Sequence, residues 1–94
     1  MNALLINPAD NVVVVTEAIQ PGDTVTYRDG DEMKSIQATQ AVPIYHKIAI
    51  REIPWDSRVL KYAHQIGVAQ QDIHVGEYVH CHNVQSPSDK EVYR

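Results

Sequence analysis

Three stretches of this chain can be laid over one another without a gap: Ile19-Gln20-Pro21-Gly22-Asp23-Thr24-Val25, Ile53-Pro54-Trp55-Asp56-Ser57-Arg58-Val59 and Ile73-His74-Val75-Gly76-Glu77-Tyr78-Val79. Each sets an isoleucine, a Gly or Asp three positions on, and a valine three positions after that. Gly and Asp tolerate the left-handed backbone of tight turns, and Pro21 and Pro54 preset the preceding bend. The repeated unit reads as an apolar anchor, a tight turn and the start of a strand. Turns recurring at such intervals predict an all-β domain of short strands and hairpins, not a βαβ unit.

Further strands are expected between and around these units. Asn11 to Thr16 contains four consecutive valines, whose β-branching favours a buried strand. Thr24 to Arg28 and Met33 to Thr39 flank Asp29-Gly30-Asp31-Glu32, a hairpin signal. His46 to Arg51 alternates, with Ile48 and Ile50 on one face and Lys47, Ala49 and Arg51 on the other. Gly67 to Gln71 is a weaker strand candidate. Trp55, Val59, Tyr62 and Ile66 also fall at helical spacing. The turn at Pro54-Trp55-Asp56 and the glycine at 67 favour a strand there instead. From Gln85 onward the chain is polar and carries Ser86-Pro87-Ser88-Asp89, so the domain is expected to occupy 1–84, with 85–94 a tail or linker.

With 94 residues the chain makes one domain, able to bury only roughly 60–65% of its unfolded surface. Such a domain is poorly suited to forming a deep cleft alone, which favours a partner or a further domain. Twelve acidic residues against eight basic ones give a net charge of −4. Without a basic stripe, nucleic-acid binding is not expected. A single cysteine excludes an internal disulfide framework and suggests a reducing compartment. The apolar patch Ala3 to Ile6 is too short for a signal sequence, and nothing has the length of a membrane helix, so a soluble, cytoplasmic protein is expected.

Candidate chemistry gathers late in the chain, at Gly76-Glu77-Tyr78-Val79-His80-Cys81-His82-Asn83. If the strand continues through this stretch, His80 and His82 share a face and Cys81 points the other way, as a small core residue. Two imidazoles on one face can bind a metal or handle protons near neutral pH; they can equally be surface histidines on an edge strand. Two nitrogens are too few for a closed metal site, so further ligands would have to come from elsewhere. Asn83 could orient a hydroxyl or carboxylate, or simply end the strand. A second group is His46-Lys47: a proton carrier beside a cationic anchor for a carboxylate, or a turn histidine beside a solvated lysine. A third is Lys61-Tyr62, an ammonium and a phenol that could hold an anion, or a surface lysine beside a packed aromatic. His64 and His74 lie in turn-like contexts and receive no role. Trp55 is either a packing plug or an interface anchor.

Several words of the chain occur in a familiar order: Ile6-Asn7-Pro8-Ala9-Asp10-Asn11-Val12-Val13-Val14, Pro43-Ile44-Tyr45-His46-Lys47-Ile48-Ala49-Ile50-Arg51-Glu52-Ile53, Val59-Leu60-Lys61-Tyr62, Gln65-Ile66-Gly67, and Gly76 to Asn83. Over roughly residues 5 to 84 the chain resembles the N-terminal SAF-type domain of the altronate dehydratase family, to which the small subunit of sulfolactate sulfo-lyase is related. Galactarate dehydratase has a related domain that is less similar around the H-x-H-N word. The resemblance implies a β-clip fold and a role as accessory domain or small subunit in sugar-acid dehydration. It also implies a large catalytic subunit or fused C-terminal catalytic region as partner, and an isolated chain without turnover. A homo-oligomer is compatible with it. Non-catalytic carbohydrate-binding and assembly modules share this fold and form the rival class.

Dehydrating an aldonate removes the proton at C2 and expels the C3 hydroxyl, so charge builds at the carboxylate end and needs cations or a divalent metal, iron or manganese, to stabilise it. In that frame His46, His80 and His82 carry protons, with His80 and His82 the candidate metal ligands, and Lys47, Lys61, Tyr62 and Asn83 hold substrate. In sulfolactate cleavage the same enolisation would expel sulfite. Three departures from the family pattern stand beside these residues: Tyr45 and Ala63 where glycine is usual, and Trp55-Asp56 in place of a small-residue turn.

Overall fold

The valine run is the centre of the molecule. The computed structural model describes residues 1–62 and 64–85, and there the strands are β1 (Ala3–Leu4), β2 (Val12–Val15), β3 (Thr24–Asp29), β4 (Glu32–Gln37), β5 (Lys47–Ala49), β6 (Arg58–Lys61), β7 (His64–Ala69), β8 (Tyr78–Val79) and β9 (Val84–Gln85), with no helix among the described residues. They form three antiparallel sheets, ordered β1-β2-β5-β8, β3-β4 and β6-β7-β9. Alternation along β2 sends Val13 and Val15 into one apolar cluster, with Ile19, Val25, Tyr27, Val42, Ile48 and Ile50. Val12 enters a second cluster, with Ala49, Ile53, Val59, Ala69, Ile73 and Val79. The sheet is covered on both faces, which is why β2 reads as unbroken valine and not as an alternating strand.

The three repeated units all form, and the structure adds a fourth, Val42-Pro43-Ile44-Tyr45-His46-Lys47-Ile48. In each copy the third position after the anchor has positive φ: Gly22 at 92°, Tyr45 at 68°, Asp56 at 67° and Gly76 at 91°. Each turn is closed by an N–H donated back three residues, Asp23 to Gln20, His46 to Pro43, Ser57 to Pro54 and Glu77 to His74, at 3.0–3.1 Å. Positive φ at the third of four turn residues is what a type II turn requires.

Each turn also grips a strand end. Gly22 and Asp23 straddle Ala38, Tyr45 and His46 straddle Val15, Asp56 and Ser57 straddle Ala69, and Gly76 and Glu77 straddle Ala49, each by one N–H donated and one accepted at 2.7–3.0 Å. The gripped residue stands four positions before an anchor, and the anchors face one another in bridges, Ile19 to Val42 and Ile53 to Ile73. The chain is thus two copies of one device, in which two turns each clip the strand that leads into the other. Small buried side chains suit the gripped position, since the turn backbone passes directly over it.

The hairpin forms as expected, with Gly30 at φ 63° in a two-residue loop between Asp29 and Glu32. Arg58–Lys61 and His64–Ala69 are strands; Val59 is buried while Trp55 and Tyr62 stand exposed, so the helical stripe is not one face. A bulge between Val59 and Leu60 leaves Ile66 as an extra residue on β7. Gly67 allows β9 to approach: a Cβ there would meet the Val84 side chain and the Gln85 carbonyl. Gln85 still pairs with Val68, one residue beyond the expected boundary at 84, and residues 86–94 of the expected tail lie outside the described residues.

Candidate functional site

The word His80-Cys81-His82-Asn83 is not a strand. β8 stops at Val79, and the chain turns over His80–Asn83, with the N–H groups of Asn83 and Val84 both donated to the His80 carbonyl. Asn83 causes this. Its buried carboxamide accepts the His80 N–H at 2.9 Å and donates to the Tyr78 carbonyl at 2.7 Å, offering the backbone a local partner in place of a ladder. His80 and His82 therefore do not share a strand face, and Cys81, expected in the core, is exposed. Asn83 is directed at its own turn.

The histidines are gathered by another side chain. Tyr78 lies stacked on His80, with ring centroids 5.5 Å apart and planes 8° from parallel, and tilted against His82 at 5.5 Å. Its hydroxyl is 2.6 Å from His46 Nδ1. The His46 and His80 rings are themselves 5.0 Å apart. Tyr78 was not among the residues the sequence singled out. A signal for it existed in the sequence, because Tyr78 stands two residues before His80, a spacing that puts both on one side of an extended chain. His46 arrives from across the sheet because Lys47 pairs with Val79 and Ile48 with Tyr78.

Beside this cluster lies an open groove of about 330 Å³, lined by Lys47, Lys61, Ile66, His80, Cys81 and Val84. Lys47 is half-buried between Val14 and Val79, and Lys61 closes the end of β6. Burial pushes the Lys47 ammonium below its usual pKa, and the charge of Lys61 adds to the shift. His80 is also lowered, first by partial loss of solvation, then by the charges of His46, Lys47 and His82. Among the described residues no carboxylate lines the groove. Like charges gathered in one groove are chemistry that suits an anion, and a lowered imidazole pKa favours the neutral form that can take up a proton.

The remaining candidates lie at the edge of this arrangement. Tyr62 is exposed at φ 56°; its N–H is donated to Asp10 Oδ2 at 2.9 Å, and the Lys61 Nζ sits 5.0 Å over its ring. The buried Asp10 and the side chain of Asn11, which holds Leu60 N–H and the Arg58 carbonyl, fasten the end of β6 and so set where Lys61 stands. His64 is exposed, and His74 pairs with Glu52. Among the described residues no three His, Cys, Asp or Glu side chains are grouped to hold a metal. His46 Nδ1 is engaged by Tyr78, and ammonium groups flank His80.

Known proteins agree on one relationship. The family profile for the altronate/galactarate dehydratase SAF domain matches residues 1–87. The chain is 38% identical over 86 residues to the alpha subunit of (2R)-sulfolactate sulfo-lyase from Chromohalobacter salexigens, covering 87% of this chain and 92% of that subunit. It is 35% identical over 89 residues to altronate dehydratase from Bacillus subtilis, covering 94% of this chain but only 17% of that enzyme. The alpha subunit of the Paracoccus pantotrophus sulfo-lyase is 38% identical over 48 residues, 51% of this chain and 72% of that subunit.

Proposed function

The chain belongs to the altronate/galactarate dehydratase SAF-domain family, and on that premise we propose that it is the accessory part of a lyase, completing a site for a small 2-hydroxy-acid anion on a larger catalytic region. The observation that carries the reading is the groove, where Lys47, Lys61 and His80 meet with no carboxylate among the described lining residues, in a chain whose net charge is −4. Its relatives include both a separate alpha subunit and a segment of a longer dehydratase, so the catalytic region can be a second subunit or a fused one.

In the proposed reaction a base of the catalytic region takes the C2 proton next to the substrate carboxylate. The electron pair left at C2 expels the group at C3, hydroxide in a dehydration, and the resulting enol becomes a 2-keto acid. Lys47 and Lys61 hold the carboxylate as its charge grows. The histidine cluster returns a proton to the departing group, a task worth roughly 10²–10⁴-fold. No step requires a metal ligated by this chain. A cytoplasmic location is part of the reading, supported by the free, exposed thiol of Cys81.

The test is reconstitution. The chain is purified with the large subunit that co-purifies from its native source, and the complex is assayed on altronate, galactarate and sulfolactate. Turnover by the complex, none by the 94-residue chain alone, and a kcat/KM lowered about ten- to a hundredfold by Lys47→Met are expected. Turnover by the pure chain, or a fully active Lys47→Met complex, overturns the accessory-site reading.

A further inference from the structure

Tyr78 touches every histidine of the site. Its hydroxyl lies 2.6 Å from His46 Nδ1, its ring stacks within 8° of the His80 plane, and His82 leans on it at 5.5 Å. The tyrosine is itself held at three points. Its N–H is donated to Gln40 Oε1 at 2.9 Å, its carbonyl accepts from Asn83 Nδ2 at 2.7 Å, and its backbone pairs with Ile48 in the central sheet. A half-buried ring fixed at its backbone has few rotamers left, and a group with few rotamers can orient its neighbours.

We propose that Tyr78 is a positioning residue of the anion site: its hydroxyl locks His46 in the Nε2–H tautomer while its ring holds His80 at the groove. A phenol O–H is a stronger donor than a neutral imidazole N–H, so in this arrangement the hydroxyl donates and Nδ1 accepts. The His46 proton must then sit on Nε2, on the far side of the ring from Tyr78. Protonating His46 places a second proton on Nδ1 and leaves Nε2–H in place. In both states His46 offers a donor from the same atom, which suits a group that hydrogen-bonds an anion or delivers a proton to a departing oxygen. The stacking contact meanwhile keeps the His80 ring from rotating out of the groove wall, where it stands beside Lys47 and Lys61. One side chain thus sets two imidazoles by different means, and the two means can be separated by substitution.

The catalytic part of this inference rests on the lyase reading; the tautomer part does not. Long-range ¹H–¹⁵N NMR on the ¹⁵N-labelled 94-residue chain, above the titration range of its histidines, reads the tautomer of His46 directly. The wild type is expected to show Nε2–H alone, with Nδ1 unprotonated. Tyr78→Phe keeps the ring and removes the hydroxyl; it is expected to move His46 toward a mixed population while the His80 signals stay near their wild-type positions. Tyr78→Leu removes both contacts and is expected to shift His46 and His80 together. A wild-type His46 in the Nδ1–H tautomer, or a tautomer unchanged by Tyr78→Phe, overturns the proposal. In the reconstituted complex Tyr78→Phe is expected to lower kcat about tenfold or more with KM within twofold, since orientation and not affinity is lost. An altered tautomer with unchanged kcat would show that the contact is structural only and overturn the positioning role. If no reconstituted complex turns over any acid, the lyase reading fails, and the NMR result still decides whether Tyr78 positions His46.

Discussion

Ile53 and Ile73 face one another across an isolated bridge, each giving its N–H to the other's carbonyl at 2.8 Å, and both side chains are buried. Ile19 and Val42 repeat the arrangement at 2.9 Å in the other half of the domain. This pairing explains how so short a chain builds a core with no helix among its described residues. Each anchor is fixed on both sides, by the clip before it and the turn after it, so the turns carry structure that longer strands carry elsewhere.

Among the four repeated turns, the fourth is the one that sets a bulky residue at the position of positive φ. Tyr45 sits at φ 68° with its side chain exposed. A left-handed residue with a Cβ costs about 1–2 kcal/mol, and glycine returns about 0.5–1 kcal/mol of that through its freer unfolded chain. Tyr45→Gly is expected to raise stability by up to about 1 kcal/mol, or about 4–8 °C in Tm per kcal/mol for a domain of this size. Thermal unfolding of the two proteins at one protein concentration checks it; a lower Tm would mean that the Tyr45 side chain carries packing not visible at an exposed site.

Two glycines of the same turn type should differ sharply. Gly22 has φ 92° and open space around its missing Cβ, so Gly22→Ala should lose only the conformational cost of about 1–2 kcal/mol. Gly76 has φ 91°, and a Cβ there would run into the Gln37 carbonyl, with the Thr39 nitrogen at 3.2 Å. Both are backbone atoms and cannot turn aside. Gly76→Ala should therefore cost about 3 kcal/mol or more. Urea unfolding midpoints for the pair separate backbone strain from steric collision, and equal losses would contradict the close approach at Gly76.

Much of this fold was legible because its signals are local. Four valines, Asp29-Gly30-Asp31-Glu32 and the three Ile-x-x-(Gly/Asp) units each announce themselves within a few residues. The fourth unit was hidden by Tyr45, since a tyrosine gives no hint of positive φ; only the clip onto Val15 enforces it. The H-x-H word misled for a similar reason. Period-two reasoning extends a strand until something stops it, and here the stop is Asn83, three residues ahead, hydrogen-bonding back to His80. His46 joins His80 only through the β5–β8 register, a pairing between distant segments that no local pattern records.

The Glu52–His74 pair makes a stability signature that can be read apart from the site. His74 Nδ1 lies 2.6 Å from Glu52 Oε1, and Glu52 Oε2 accepts the Val75 N–H at 2.8 Å. The hydrogen bond to Glu52 raises His74 above its usual 6.5, and the one to His74 lowers Glu52 below its usual 4.5. A raised histidine stabilises fully below 6.5, and the contribution fades as pH climbs through its folded value. A lowered carboxylate stabilises above 4.5, and the contribution fades as pH falls through its folded value. The pair therefore helps most between about 4.5 and 6.5. Glu52→Gln should flatten the stability profile at both flanks of that window and return the His74 NMR titration toward 6.5. Both groups are exposed, so the effect should also shrink in high salt.

Lys47 is where stability and function should pull in opposite directions. Its pKa is lowered because burial and the neighbouring Lys61 both disfavour its charge. A lysine whose folded pKa lies below its unfolded 10.5 weakens the fold while it is charged, and that penalty is relieved only as pH rises through the interval just below 10.5. At neutral pH the charged form is thus held in the groove against the preference of the fold. Lys47→Met keeps the aliphatic stem beside Val14 and Val79 and removes the charge, so its urea midpoint should equal or exceed that of the wild type. The same change should raise the His80 pKa toward 6.5, because Lys47 is one of the charges that depress it. It should also cost the reconstituted complex about ten- to a hundredfold in kcat/KM, the worth of roughly 1.5–3 kcal/mol for a hydrogen bond to a charged group. A Lys47→Met protein that is less stable, with His80 unmoved and turnover intact, would make this lysine a structural residue and remove the main support for an anion site.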